Sequence, residues 1–361
     1  MAIRVIQWAT GNLGRAAVEA IVSHPELELA GAWVHSAEKA GRDVGEICGI
    51  GSLGVTASDD ADEVLAIDAD CVLYAPIVGR KKEAIRILES GKNVVTPLNW
   101  FYPKSLDVAD LEATCRKYAV TLHGTGIHPG GITERFPLMI SALSRAITHV
   151  RAEEFSDIRT YGAPAVIADI MLFGKTPDEA RNSPMLNVLS GGFQQSLDMV
   201  ADVLGVVLDP EKRATHEMAV ATAPIESPIG VIEPGKVAAQ RFTWEGFVKG
   251  KPFVMARVNW LMGQQHLEPD WSLGDPGERG DRHGRFEIEI TGDPSVKVTF
   301  HGLHPESIEE GLRRNSGIVA TATHCVSAIP ATCAADPGIR TYLDLPLVAG
   351  RAAPELIRAA S

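Results

Sequence analysis

Residues 3–15 read IRVIQWATGNLGR: an apolar run, a turn of small residues, then the start of a helical pattern. Ile3 to Trp8 has the composition of a buried strand, and Ala16, Ala17, Ala20 and Ile21 share one helix face. Between them, Ala9-Thr10-Gly11-Asn12-Leu13-Gly14 keeps the G-x-G-x-x-G spacing with Ala9 in place of the first glycine. Such a turn lets backbone N–H groups approach a pyrophosphate, whose charge the positive end of the following helix favours. Thr10, Gly11, Asn12, Leu13 and Gly14 are therefore the expected dinucleotide cradle. The competing reading is an ordinary glycine turn, and the alternation of strands and helices that follows favours the nucleotide.

That alternation is regular. A second strand ends near Val34, and Cys71 to Ala75 forms a third apolar run closed by Pro76. Ala84, Ile85 and Leu88 share a helix face that stops at Gly91, before the strand NVVTP at 93–97. A helix after Ser105 leads to the strand AVTLHGTG at 119–126. Beyond about residue 150 the pattern changes: HVRAEEFSDI at 149–158 reads as a strand and residues 164–204 as largely helical. Residues 236–262 then alternate about Gly250-Lys251, and residues 285–303 about Gly292-Asp293, as hairpins do. The expected class is α/β: a Rossmann-type doubly wound parallel sheet with a second α+β domain containing an antiparallel sheet. Residues 1–150 would form the dinucleotide domain, completed by 310–361, and residues 151–309 the second domain.

Composition narrows the partners. Of 361 residues, 45% are hydrophobic and 22% charged, which is ordinary for a globular protein. A net charge of −12 without a basic stripe argues against nucleic acid and anionic membranes, and leaves a small molecule as the expected substrate. The first strand leaves no room for a signal peptide, and no apolar run reaches the ~18 residues of a membrane span, so a cytoplasmic protein is expected. Five cysteines, an odd number without C-x-x-C, read as reduced thiols, and no metal site is expected.

NAD sites commonly place an acid about 20 residues past the glycine turn, at the end of the second strand. Here that position holds Val34-His35-Ser36-Ala37-Glu38-Lys39. His35, Ser36 and Lys39 suit a 2′-phosphate, so NADP(H) is favoured, with Glu38 the feature that keeps NAD(H) open. Ligands of doubly wound sheets bind at the carboxyl ends of the strands, which puts YAPIVG (74–79), TPLNWFYP (96–103) and GTGIHPGGITER (124–135) at the mouth. Ala75, Pro76, Thr96 and Pro97 would flank the nicotinamide. His128 is the first candidate for acid–base or orienting work, with Asn99 or Tyr161 beside it to polarise the substrate. Glu134 next to Arg135 reads as a paired surface or interface charge, and Trp244 and Trp260 as sheet packing. The polar loop at 268–285 reads as a lid or a surface excursion.

Together, VIQWATGNLGR, VHSAEKAGRDVGE, the Thr96-Pro97 pair and GTGIHPGG resemble actinobacterial-type proteins related to the dihydrodipicolinate reductase N-terminal domain. The wider group includes 2,4-diaminopentanoate dehydrogenase and the native amine dehydrogenases. The resemblance covers the first 140 residues well and the remainder in outline. It implies a homodimeric NAD(P)H oxidoreductase whose α+β domain supplies the dimer contact and whose pocket lies in the cleft between domains. In the amine dehydrogenases of this group a Glu in a T-C-E-E pattern handles ammonia, whereas this chain has Thr96-Pro97-Leu98-Asn99. The group's N-P-G-F loop becomes His128-Pro129-Gly130-Gly131 here, and the paired histidines and lysine of true dihydrodipicolinate reductases are missing. Without that carboxylate the expectation shifts to reduction of a ketone or imine on a fairly apolar substrate. The alternatives are an amine dehydrogenase using Glu134 or another acid, and a non-catalytic NADPH-binding sensor.

Overall fold

The computed structural model describes residues 2–272, 283–353 and 356. Residues 273–282 of the expected lid or surface loop therefore lie outside the described residues. The chain divides into two compact units, residues 1–127 with 318–361, and residues 128–317.

The first unit holds strands β1 (Ile3–Trp8), β2 (Leu27–Trp33), β3 (Ala57–Ser58), β4 (Cys71–Tyr74), β5 (Asn93–Thr96) and β6 (Thr121–Gly124). Its helices are α1 (Asn12–Ser23), α2 (Val44–Cys48), α3 (Ala61–Ala66), α4 (Lys81–Glu89) and α5 (Ala109–Tyr118). Helix α10 (Ser316–Cys333) and strand β16 (Gly338–Arg340) return to it from the far end of the chain. Its sheet runs β16-β6-β5-β4-β1-β2-β3 with parallel pairs throughout, a doubly wound order that reverses between β1 and β4.

The strands read as continuous apolar runs because both faces of this sheet are covered. Val5, Cys71, Leu73 and Val95 enter one core with Ala17 and Ile21 of α1 and Ala322, Cys325, Val326 and Ile329 of α10. Their neighbours Ile6, Trp8, Val72, Tyr74 and Val94 enter the other, with Ile87 and Leu88 of α4 and Leu111 of α5. Full burial of each such Leu or Ile contributes about 1.5–3 kcal/mol.

The second unit holds β7 (Arg145–Asp157), β8 (Arg213–Ala221), β9 (Ile225–Ser227), β10 (Gly230–Ile232), β11 (Val237–Val248), β12 (Lys251–Leu261), β13 (Leu267–Glu268), β14 (Gly284–Asp293) and β15 (Val296–Phe300). Helices α6 (Phe136–Ser141), α7 (Pro177–Arg181), α8 (Met185–Val203) and α9 (Ile308–Arg313) accompany them. The main sheet runs β13-β8-β11-β12-β7-β14-β15. Its pairs are antiparallel, as expected, except one: β7 and β12 pair in parallel, Glu154 opposite Val258, which makes the sheet mixed. Period-two patterning is the same in either pairing, so the alternation could not show this. The β11–β12 turn is Lys249-Gly250, one residue earlier than expected, with both residues at positive φ (52° and 75°) as a two-residue hairpin requires. The Asp209 carboxylate accepts from both turn amides, at 2.9 and 2.8 Å.

The two faces of β7 differ in chemistry. Arg151 and Glu153 belong to a charged network in which Arg151 Nη2 donates to Glu289 (2.7 Å) and Glu287 (3.1 Å), and Asn259 Nδ2 donates to Glu153 (2.9 Å). The other face carries Ala152, Glu154 and Ser156, in register with Phe286 and Ile288 of β14 and with Val258 and Trp260 of β12.

Candidate active site

The turn between β1 and α1 is built for close backbone approach. Ala9, at the position of the missing first glycine, has φ +76°, the left-handed region that favours glycine. Buried Gln7 donates from Nε2 to the Ala9 carbonyl at 2.9 Å and fixes the bend. Gly14 packs against that same carbonyl: a Cβ there would lie 2.0 Å from Ala9 O. Gly11 is the N-cap, its backbone extended, with open space where a Cβ would be and no side chain capping the helix. This 12-residue helix thus begins with backbone N–H groups that no side chain of the cap covers, at the positive end of the helix dipole.

Lys39 comes to this turn from the loop after β2, its Nζ donating to Thr10 O (3.2 Å) and Thr10 Oγ1 (3.4 Å). Burial, with the Arg15 and Arg42 guanidiniums close by, lowers the Lys39 ammonium from its ordinary value. His35 is exposed and tilts over Trp33, ring centroids 6.0 Å apart, while Ser36 accepts the Lys39 amide through its carbonyl at 2.9 Å.

The other expected strand-end residues gather in the same unit. The Ala75 amide donates to Trp8 O (3.2 Å), tying Ala75-Pro76 to the end of β1. Thr96 is fully buried, accepts the Thr125 amide on its carbonyl (2.8 Å) and the Leu98 amide on Oγ1 (3.3 Å), and so fixes Pro97 between them. Asn99 Oδ1 accepts the amide of Trp100 at 2.8 Å, the turn-capping role that competes with substrate contact. A Cβ on Gly124 would stand 2.2 Å from Asn99 O, so this loop too requires glycine. Thr125, which follows β6, bonds the Tyr342 hydroxyl at 2.5 Å, and that hydroxyl meets His324 Nε2 at 2.9 Å.

The remaining candidates lie in the second unit. His128 Nε2 faces the Arg257 carbonyl at 3.4 Å, and its ring stands edge-on to Phe193 (centroids 4.9 Å apart). Burial pushes its imidazolium down to about 3, so it is neutral at physiological pH. If Nε2 carries the proton toward Arg257, the buried Nδ1 is an acceptor, with no partner among the described residues. A proton donor with a near-neutral pKa, the property that made His128 the first candidate, is not what this environment produces.

Glu134 is no surface charge. It is completely buried, accepting from Thr133 Oγ1 (2.8 Å) and Ser196 Oγ (2.6 Å), and burial raises its carboxyl to about 7.

Tyr161 follows a single 3₁₀ turn, Ile158–Thr160, at the end of β7; burial and the nearby Glu154 carboxylate raise its phenol. Glu154, Ser156 and His304 did not figure in the sequence reading, and Trp260 figured only as packing. Ser156 Oγ donates to Glu154 Oε1 (2.7 Å), Trp260 Nε1 donates to the same oxygen (3.0 Å), and His304 Nε2 meets Ser156 Oγ at 2.8 Å. One signal was available: in consecutive Glu153-Glu154 on a strand, one carboxylate must point to the face away from the other. A groove of about 420 Å³ in this unit is lined by Arg159, Ile225, Glu226, Met262 and Gln265. Its Arg159 is already committed to Asp157, through Nε (2.9 Å) and Nη2 (2.7 Å).

Most of the chain is similar to known proteins. Residues 132–356 match the family model of the 2,4-diaminopentanoate dehydrogenase C-terminal domain, and residues 4–94 that of the dihydrodipicolinate reductase N-terminus. The chain is 32% identical over 360 residues to an amine dehydrogenase of Streptomyces virginiae, covering 96% of each protein. It is 24% identical over 267 residues to the 2,4-diaminopentanoate dehydrogenase of Acetoanaerobium sticklandii, covering 72% of this chain and 68% of that one. The structure of an amine dehydrogenase from Mycobacterium smegmatis superposes with a TM-score of 0.76 at 22% identity, covering 97% of this chain and 98% of the other. Among the described residues, no helix is long and apolar enough to cross a membrane.

Proposed function

The chain belongs to the 2,4-diaminopentanoate dehydrogenase family, and we propose that it interconverts an amine and the corresponding carbonyl compound on a small to medium, fairly apolar substrate. It is an NAD(P)-dependent oxidoreductase. The observation that carries the reading is the uncapped, glycine-lined start of α1, with Lys39 drawn to Thr10 beside it. The residues fit the nucleotide: Gly11 and Gly14 keep side chains out of the turn, and a diphosphate matches the helix N-terminus. Thr10 to Gly14 would hold the pyrophosphate, and Ala75, Pro76, Thr96 and Pro97 would flank the ring. We take NADP(H) as the preferred form, because Lys39, Arg15 and Arg42 make the rim of this turn cationic.

Bound there, the dihydronicotinamide supplies the hydride that converts a C=N or C=O carbon to C–H. In the direction of amine formation, ammonium and a ketone lose one water to form the iminium, which the hydride reduces. The chain's own groups must hold the nitrogen, exclude water and carry protons. The missing carboxylate at Leu98-Asn99 argued for plain carbonyl reduction, but Glu134 and Glu154 supply buried and half-buried carboxyls in the second unit, and that argument loses force. Reduction of a ketone or a preformed imine without ammonia is the second reading, favoured by the absent family Glu.

The test is NADPH and NADH oxidation with a panel of aliphatic ketones, with and without ammonium, together with NADP⁺ reduction by the matching amines. Ammonium-dependent turnover is expected. Equal rates without ammonium, giving alcohol, would replace this reading with the second.

A further inference from the structure

We propose that Glu154 is the anchoring carboxylate for a protonated substrate nitrogen, receiving its N–H groups on Oε2 while Trp260 and Ser156 hold Oε1. This rests on the amine–carbonyl reading above.

Three observations lead to it. First, Glu154 is half-buried, and among the described residues no cation pairs with it. Its neighbours in the sheet, Glu153 and Glu287, are each paired with arginines, Glu153 with Arg151 and Arg257, Glu287 with Arg151 and Arg285. Glu154 has only two neutral donors, Ser156 Oγ and Trp260 Nε1, and among the described residues no ion pair. Second, both donors converge on Oε1. Oε2 has no partner among the described residues, although Glu154 keeps part of its surface open. The carboxylate is therefore oriented by one oxygen and available through the other. Third, its surroundings suit an alkyl ammonium. Trp260, Tyr161 and His304, each half-buried, lie near it, and the same sheet face continues as Phe286 and Ile288.

A half-buried carboxylate without a counter-charge is costly, and a cationic ligand removes that cost. Consistent with this, burial raises the Glu154 carboxyl, with the Ser156 and Trp260 hydrogen bonds opposing the rise. The titratable groups near it are Tyr161 and His304. Burial raises the phenol and pushes the imidazolium down to about 3, so both are neutral through the working range and neither replaces the missing cation.

The experiment is calorimetric titration of the NADP⁺-saturated protein with n-hexylamine, as its ammonium, and with n-hexanol as a neutral probe of the same length. Glu154→Gln keeps an acceptor for Trp260 and Ser156 but removes the charge. It should weaken hexylammonium binding roughly 10- to 100-fold, the loss of a charge-assisted hydrogen bond, and leave hexanol and NADPH affinities unchanged. Trp260→Phe is the second variant: it keeps the acid but loses one donor to its ionised form. The pH below which hexylammonium binding fails should rise in this variant, with affinity at the alkaline end little changed.

If Glu154→Gln binds hexylammonium as the wild type does, or if both probes weaken equally, the anchor assignment is wrong. A wild-type protein that binds hexylammonium through Glu154 but turns over no amine would refute the reaction instead. Binding and turnover therefore fail separately.

Discussion

Paired substitutions at the two ends of the nucleotide turn should have opposite signs. Gly14→Ala places a methyl 2.0 Å from the Ala9 carbonyl oxygen and 3.2 Å from Gln7 Nε2. An ordinary C···O contact is about 3.3–3.6 Å, so α1 must move off β1 by more than ~1 Å, or the turn must refold. The obstacle is backbone, which cannot rotate aside, so the cost sits at or above the upper end of the ~1–3 kcal/mol typical of overpacking. A shift of ~1 Å in the amides facing a diphosphate should reduce nucleotide affinity by about 100-fold. Ala9→Gly works the other way. Relief of a left-handed alanine at φ +76° returns ~1–2 kcal/mol, and the added freedom of the unfolded chain takes back ~0.4–1 kcal/mol. The expected net is a gain near 1 kcal/mol, with nucleotide affinity unchanged. NADPH fluorescence titration and thermal unfolding read both variants. A Gly14→Ala protein that binds NADPH like the wild type, or an Ala9→Gly protein less stable by more than ~1 kcal/mol, would refute this account of the turn.

Lys39→Glu should lower NADPH affinity far more than NADH affinity, read as the ratio of the two in parallel titrations; equal losses would place Lys39 at the pyrophosphate alone. Glu134→Gln should leave stability nearly unchanged at pH 4 and raise it above pH 7. The folded carboxyl, at about 7, keeps its proton while the unfolded one loses it near its ordinary value, so the wild type loses up to about 3 kcal/mol between those values. Denaturant unfolding at the two pH values checks this sign. His128→Gln should leave the shape of the pH–rate profile between pH 5.5 and 8 unaltered, because the wild-type imidazole is already neutral there; loss of a limb in that window would return His128 to acid–base work. Tyr342→Phe should cost about 1–3 kcal/mol by breaking the bonds to Thr125 and His324, at about 0.5–1.5 kcal/mol each, measured by thermal unfolding.

The first sheet was legible because its signals are local. Ile3–Trp8 and Cys71–Tyr74 are long enough and apolar enough to announce buried strands, and the glycine spacing between Trp8 and Arg15 sits where a strand hands over to a helix. Strand β16 was not legible: Gly338–Arg340 has three residues and owes its conformation to pairing with Thr121–His123. The parallel partnership of β7 and β12 was equally hidden, since register between residues as far apart as Glu154 and Val258 leaves no mark on either strand's alternation.

The site divides along the same line. Thr10 to Gly14 and Lys39 could be named from the motif and its distance to the second strand, and the structure brings Lys39 Nζ to Thr10. His128 was named for an ordinary imidazole pKa, which the packing around its ring lowers, and Glu134 was read as a paired surface or interface charge, an exposure that tertiary packing removed. Glu154 escaped because its significance depends on what fails to accompany it. A sequence shows which cations exist, but not that Arg151 and Arg257 serve Glu153 on the opposite face.

The return of α10 and β16 to the first unit has a consequence for biosynthesis. Ala322, Cys325, Val326 and Ile329 fill the core beneath β1 and α1, and Gly338–Arg340 pairs along the outer side of β6. On a ribosome, residues 1–127 emerge well before these groups exist, separated from them by the whole of segment 128–317. At about 5–20 residues per second that interval lasts roughly ten to forty seconds. Throughout it the nascent nucleotide domain has an apolar flank open and a strand edge unpaired, so folding of this half is timed by translation of the other.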